Sequence, residues 1–298
     1  MRPEFAGAPG QAGHAGHGGR PARPGRPQQV AEVLATARVS DHLVRLTLGG
    51  PGLAAFEAKD ATDQYIKILF ADPALGLTPP YDLDAIRAQH GPEGVPVRRT
   101  YSVRAVRATD AGAEIDVDFV VHGSEGIAGP WAAAAQPGEL VCFSGPGGKY
   151  APEPGAWHLL AGDEAALPAI AAALAAMGPD ERGVAVLDVA GPGDRLDLAA
   201  PAGVELRWVE RGGDWTPTSS RLEEAVRGVV LPADRGAIRA FVHGERETMK
   251  SLRAYLVGEC GLVRQQLSLS AYWAYGRAED AFQAEKREPV GKIFPEDA

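Results

Sequence analysis

Across residues 30–150, apolar positions come in short runs that alternate with polar ones. Val44, Leu46 and Leu48 alternate with Arg45 and Thr47, Ile66, Ile68 and Phe70 form a second set, and Ile115, Val117, Phe119 and Val121 alternate with Asp116, Asp118 and Val120. Period two with one polar face predicts antiparallel strands, and the frequent turn residues between the runs predict a β-barrel or sandwich. Residues 72–96 carry Pro73, Pro79, Pro80, Pro92 and Pro96 and read as a long surface loop holding a short helix over 83–89. After Tyr150 the pattern changes. Apolar runs at 157–161, 184–190, 204–209 and 237–242 have the length and composition of buried strands. Between and after them lie three helix candidates: 165–177, a segment running from a capping-box pattern at Ser220 and Glu223 to about residue 230, and 245–257. Strand and helix in alternation predict a parallel sheet covered on both faces. The expected fold class is therefore an antiparallel barrel over residues 28–152, then an α/β domain over 153–298 that ends in a C-terminal helix. A ligand is expected in the cleft between them.

Composition narrows the partners. The 298-residue chain is long enough for two domains. Its 30 Lys and Arg against 39 Asp and Glu leave a formal charge of −9, so it lacks the broad basic face that nucleic acid requires. Thirty-seven glycines and 24 prolines make up about a fifth of the chain. Many of them fall in residues 1–27, which read as a disordered tail without the apolar segment of a secretory signal. His14 and His17 in that tail are not expected to bind metal. No apolar run reaches the length of a membrane span. Two cysteines, Cys142 and Cys260, make neither a disulfide framework nor a zinc motif, and the expected location is the reducing cytoplasm. No nucleophile elbow is present, which speaks against covalent hydrolysis.

Residues 99–102 (RTYS) fall in a predicted barrel strand and present a guanidinium, a phenol and a hydroxyl. Arginine grips a diphosphate bidentately, an aromatic ring packs on a planar ring system, and a hydroxyl bonds a heterocyclic nitrogen, so the combination suits a flavin. Downstream, the glycine-rich stretch 122–131 precedes a helix expected at 131–135, where backbone amides can meet phosphate. Gly145, Gly147 and Gly148 suggest a dinucleotide-binding turn, but the stretch lacks the full glycine fingerprint and its downstream acidic residue.

The motifs RTYS (99–102), DFVVHG (118–123), GIAGPW (126–131), LLAGDE (159–164), ALPAI (166–170), HGE (243–245), MK (249–250) and YW (272–273) appear in this order over nearly the whole folded chain. In this the sequence resembles the siderophore-interacting protein family of ferric-siderophore reductases. The resemblance implies a ferredoxin-reductase-like fold, with an FAD-binding barrel followed by an NAD(P)H-binding α/β domain. It also implies electron transfer from NADH or NADPH, or from a ferredoxin, through FAD to the Fe(III) of a siderophore, releasing Fe(II). By it, Arg99, Tyr101 and Ser102 would hold the flavin, His122, Gly126, Ala128 and Trp131 would lie along its diphosphate and adenosine, and Asp163 and Glu164 would close over the adenine end. Gly129 stands where the family usually has serine and Ala165 where it usually has threonine, each removing a hydroxyl contact worth about 1 kcal/mol. For substrate, the implied basic side chains are Lys67 and Lys149, the latter displaced from a turn position held here by Gly147.

Trp273, with Tyr272, follows an apolar strand at 267–270 and is either a cofactor-facing ring or a core aromatic. Arg277, Lys286 and Arg287 fall on the expected C-terminal helix. The protein is expected to be a monomer without a membrane span. Two other readings fit the same residues: a generic flavin reductase of quinones or a carrier protein, and a carrier that binds ferric siderophore without turning it over.

Overall fold

Alternation in the first half closes a sheet on itself. In the computed structural model, which describes residues 27–110, 112–124, 126–212, 216 and 221–294, six strands form a barrel: β1 (Gln28–Arg38), β2 (Leu43–Gly49), β3 (Tyr65–Phe70), β4 (Val97–Thr109), β5 (Gly112–Val120) and β6 (Leu140–Gly147). The order around the barrel is β1-β2-β5-β4-β3-β6, and β6 pairs back onto β1, so no edge is left open. Every pair is antiparallel. The inward positions Leu46, Leu48, Ile66, Ile68, Val117, Phe119 and Phe143 form one core. Helix α1 (Leu83–His90) lies in the proline-rich loop as expected, capped by Asp82, whose side chain accepts from the Ala85 N–H.

The next helix, α2 (Ala128–Ala134), starts three residues before the expected position. Pro130 is the reason: a proline belongs in the first turn, where its missing N–H leaves nothing unpaired. Trp131 therefore sits inside the helix instead of opening it.

The second half is a five-stranded parallel sheet of β7 (Trp157–Gly162), β8 (Arg182–Val189), β9 (Gly203–Glu210), β10 (Ile238–Glu245) and β11 (Leu267–Trp273), in the order β11-β10-β7-β8-β9. Helices α3 (Leu167–Ala176), α4 (Arg221–Arg227), α5 (Arg246–Arg253) and α6 (Glu279–Glu285) complete it. Three boundaries differ from expectation. Helix α5 stops at Arg253 and its last turn widens into a π-helical segment, Ala254–Glu259. Strand β11 continues through Trp273 because its burial alternation persists past Ser270, so Tyr272 and Trp273 lie within the strand. Helix α6 is short, so Arg277 precedes it while Lys286 and Arg287 follow it. The tail, including His14 and His17, and the cap residue Ser220 lie outside the described residues.

One apolar cluster joins α3 to β7 and β8 and takes in Leu43 from the barrel, with Val39, Val120 and Tyr150 packed against it. Leu43 is fully buried there. Barrel and sheet thus share a core, which fixes one against the other. Among the described residues no helix is long and apolar enough to cross a membrane, and no cluster of three metal-ligating side chains occurs. Cys142 is buried and Cys260 half-buried, both as free thiols.

Phe119 packs tilted against Tyr101 at 4.3 Å and edge-on to Trp131 at 5.7 Å. Phe119→Ala is expected to cost about 3–5 kcal/mol in denaturant unfolding, with an unchanged slope. A loss under 1 kcal/mol would show that the barrel core collapses around the gap.

Candidate functional site

Strand β4 carries Arg99, Tyr101 and Ser102. Tyr101 leans on Phe119, which meets Trp131, and Trp131 meets Phe70 edge-on at 5.2 Å. This aromatic group joins β4 to α2. Burial pushes the Tyr101 phenol above its ordinary range, so it stays protonated. The loop between β5 and α2 holds exposed His122 and Gly126. Gly126 has a left-handed backbone (φ 83°), and a Cβ placed there would meet nothing within 4 Å. Ala128 is buried at the start of α2, and no side chain caps that first turn.

From the sheet half, two segments reach the same strand. Tyr272, on β11, brings its hydroxyl near Ser102, which partly offsets the upward push of burial on the phenol. Helix α6 lies over Arg99, whose Nη1 and Nη2 donate to the two carboxylate oxygens of Asp280 at 3.1 and 3.0 Å. The adjacent Glu279 accepts from the Thr100 N–H at 3.3 Å. Behind Tyr272, His243 lies between it (4.8 Å) and Phe241 (4.0 Å), with Nε2 3.1 Å from the Ser268 hydroxyl. Burial pulls the His243 imidazole down to about 3, so it is neutral.

At the carboxyl ends of the parallel strands the residues form a second group. Strand order reverses between β7 and β10, the position where open α/β sheets take ligands. Asp163 sits there, buried, with Oδ2 accepting from the Trp273 indole N–H (2.7 Å) and the Glu245 N–H (3.0 Å), while Oδ1 accepts from the Ala165 N–H (3.0 Å). Gly244 permits this approach, since a Cβ at that position would lie 2.7 Å from Asp163 Oδ2. Burial, with Glu164 nearby, lifts the Asp163 carboxyl to about 6 despite those donors. Glu164 accepts from the Ala190 N–H (2.7 Å) and from Arg211 (2.6 Å), and Arg211 also reaches Asp188 at 3.2 Å. Asp188 is desolvated enough that its carboxyl rises to about 8, the Arg211 ion pair notwithstanding. Asp163, Asp188, Arg211, Glu245, Thr248 and Trp273 border a cavity of about 10 Å³, the room of one water.

Of the two basic candidates, Lys67 is exposed on β3 directly opposite Thr100. Its charge is close enough to Lys286, beyond α6, to depress that ammonium further after burial has done so. Lys149 lies elsewhere, its backbone N–H on Asp63 at 2.7 Å and its side chain exposed. At the turn position beside it, Gly147, the Tyr65 ring packs close, 2.2 Å from where a Cβ would fall. The structure thus gathers Arg99, Tyr101, Ser102, Trp131 and Lys67 around β3, β4 and α2, groups Asp163, Glu164 and Trp273 at the sheet edge, and sets Lys149 apart. Asp188, Arg211, Asp280 and the Tyr272–Ser102 contact are not foreseen in the sequence. The acidic pair opening α6 was the available signal for Asp280.

Comparison with known proteins gives the chain its family and fold. A family model for the siderophore-interacting FAD-binding domain matches residues 32–150, and one for siderophore-interacting protein matches residues 155–276. The chain is 35% identical over 259 residues to ferric vibriobactin reductase ViuB of Vibrio cholerae, covering 86% of this chain and 93% of that protein. The siderophore-interacting protein SipS of Aeromonas hydrophila superposes with a TM-score of 0.75 at 29% identity, covering 90% of this chain and 99% of that one. At the level of fold alone, the ferredoxin reductase of carbazole 1,9a-dioxygenase matches with a TM-score of 0.60 at 18% identity, covering 85% of this chain and 71% of that one. The architecture is therefore ferredoxin-reductase-like.

The pH behaviour of Asp188 tests the electrostatics of the sheet edge. A carboxyl raised from 3.8 to about 8 on folding contributes stability that is complete below 3.8 and lost as pH rises through 8. Asp188→Asn removes that titration, so the difference in melting temperature, variant minus wild type, is expected to grow more positive from pH 4 to pH 9. A difference that stays flat would show that Asp188 is not desolvated.

Proposed function

The chain belongs to the siderophore-interacting protein family, and from that membership we propose that it is an FAD-dependent oxidoreductase that passes electrons from NADH or NADPH to the Fe(III) of a ferric siderophore and releases Fe(II). The observation that carries this reading is the aromatic packing of Tyr101, Phe119 and Trp131, which joins the strand of Arg99, Tyr101 and Ser102 to α2, a helix with no side-chain cap on its first turn and the open Gly126 loop before it. An anchored guanidinium, an unobstructed glycine and free amides are what a dinucleotide diphosphate requires. Bound FAD supplies the redox chemistry, taking electrons in pairs from a nicotinamide and giving them up singly to iron.

The chain's own residues bind and orient. Arg99 takes the diphosphate, while Tyr101 and Ser102 line the flavin ring. His122, Gly126, Ala128 and Trp131 follow the diphosphate and adenosine. Asp163 and Glu164, with Trp273 locked onto Asp163, shape the loop that closes the adenine end. No side chain needs to act as acid or base in iron reduction, because the electron acceptor is the metal of the incoming chelate. Lys67 attracts an anionic complex, against a net charge of −9 that would otherwise repel it. Lys149, expected to share this role, is set apart from Lys67 and is left out of the proposal.

The test begins with purified protein and FAD under anaerobic conditions. The protein is expected to turn yellow, to be bleached by NADH or NADPH, and to be reoxidised by ferric catecholate or hydroxamate complexes with two Fe(II) trapped per nicotinamide consumed. Protein that takes up no FAD, or loaded protein that reacts with quinones and ignores ferric siderophores, would contradict the proposal. Lys67→Ala is expected to raise KM for an anionic ferric complex several-fold with kcat unchanged, an effect that shrinks with added salt. An unchanged KM would remove Lys67 from the substrate path.

A further inference from the structure

We infer that Asp280 is a positioning residue for the flavin: it holds the Arg99 guanidinium by one edge so that the other edge is aimed and left open for the FAD diphosphate. The inference rests on the reading that the barrel binds FAD, and it starts from a count of donors. A guanidinium has five N–H bonds in a fixed fork. Nη1 of Arg99 donates to the Arg98 carbonyl (2.8 Å) and to Asp280 Oδ1 (3.1 Å), which uses both of its hydrogens. Nη2 gives one to Asp280 Oδ2 (3.0 Å). The N–H of Nε and the second N–H of Nη2 remain, and these two are parallel on a single edge of the plane. Neither has an acceptor among the described residues, and Nε is not among the fully buried polar atoms lacking a partner, so this edge reaches solvent. It has the geometry for a second bidentate contact with an oxyanion.

Fixing a long side chain in advance removes rotamer entropy that an anion would otherwise have to overcome. The Arg99 side chain is only 12% exposed, whereas that of Asp280 is 64% exposed. Its charge is thus screened by solvent and only weakly opposes an incoming phosphate. The helix that presents Asp280 is fixed independently. Phe282 is buried beneath it, Glu285 accepts from Arg277 at 2.6 Å and also from Arg246, and Glu279 holds the Thr100 N–H. Removing the Asp280 carboxylate therefore frees Arg99 without freeing α6.

The test is an FAD titration, followed by flavin fluorescence, of the wild-type protein, Asp280→Ala, Asp280→Asn, Arg99→Ala and the Arg99→Ala/Asp280→Ala double variant. Asp280→Ala is expected to weaken FAD about 5- to 10-fold, and Asp280→Asn, which keeps one oxygen acceptor, by less. The double variant is expected to bind no more weakly than Arg99→Ala alone, because the effect passes through that guanidinium. Melting of the FAD-free Asp280→Ala protein is expected to stay close to wild type, since the Asp280 carboxylate is largely exposed and the open edge of Arg99 keeps solvent contact. Unchanged or tighter FAD binding in Asp280→Ala overturns the inference, the tighter case meaning that the carboxylate competes with the phosphate. An equal further loss in the Arg99→Ala background overturns it too, by placing the effect elsewhere. A wild-type chain that takes up no FAD refutes the flavin reading itself, and the inference with it. Normal uptake with an indifferent Asp280→Ala refutes the inference alone.

Discussion

The buried carboxylate of Asp163 is the joint on which the arrangement depends. It sits where strand order reverses and accepts N–H bonds from Ala165, Glu245 and Trp273, so it ties the carboxyl ends of β7, β10 and β11 to one another. Burying a carboxylate is costly, and the rise of its pKa to about 6 records that cost. Three donors offset it, and the geometric return is large. With the Trp273 indole fixed on Asp163, strand alternation sends the preceding side chain, Tyr272, to the opposite face, where it meets Ser102 of the barrel. The chain then leaves β11 and places α6 across Arg99 and Thr100. One buried acid thus decides where the sheet half touches the strand proposed to hold flavin.

Charge follows the same logic of local engagement. The acidic excess does not lie as an open anionic field near the proposed site: Asp163, Glu164 and Asp188 are turned inward onto amides and Arg211, and Glu245 caps α5 through the Glu247 and Thr248 N–H groups. Lys67 and Lys286 are neighbours beside β3 and α6, with Glu279 beside Lys286 and Asp280 paired with Arg99. The attraction proposed for Lys67 toward an anionic chelate is thus a local one, and ionic strength would control it.

The sequence makes the skeleton legible because the skeleton is periodic. The alternation of Val44, Leu46 and Leu48, and of Ile115, Val117 and Phe119, encodes barrel strands, and the apolar runs after Tyr150 encode the parallel sheet. The residues of RTYS fall on one strand, as their spacing demands. What the sequence conceals is set by distant partners. Asp280 lies 181 residues from Arg99, and no periodicity links them. Gly147 stands where a basic residue is expected, and the Tyr65 ring occupies the space beside it, which no pattern in the sequence announces. The early start of α2 was encoded, in Pro130, but it requires reading proline as a first-turn residue and not as a breaker. Asp163 and Glu164 are visible as acids. That their oxygens are taken up by backbone amides and Arg211 emerges only when the strand ends are brought together.

We propose, then, that the sheet half completes the flavin cradle of the barrel, through α6 and Arg99. A crystal structure of the FAD-loaded protein tests it most directly. Arg99 is expected to bond at once to Asp280 and to the diphosphate, with α6 in place over β4. Density showing α6 displaced and Arg99 on the phosphate alone, or FAD bound without touching Arg99, would contradict it.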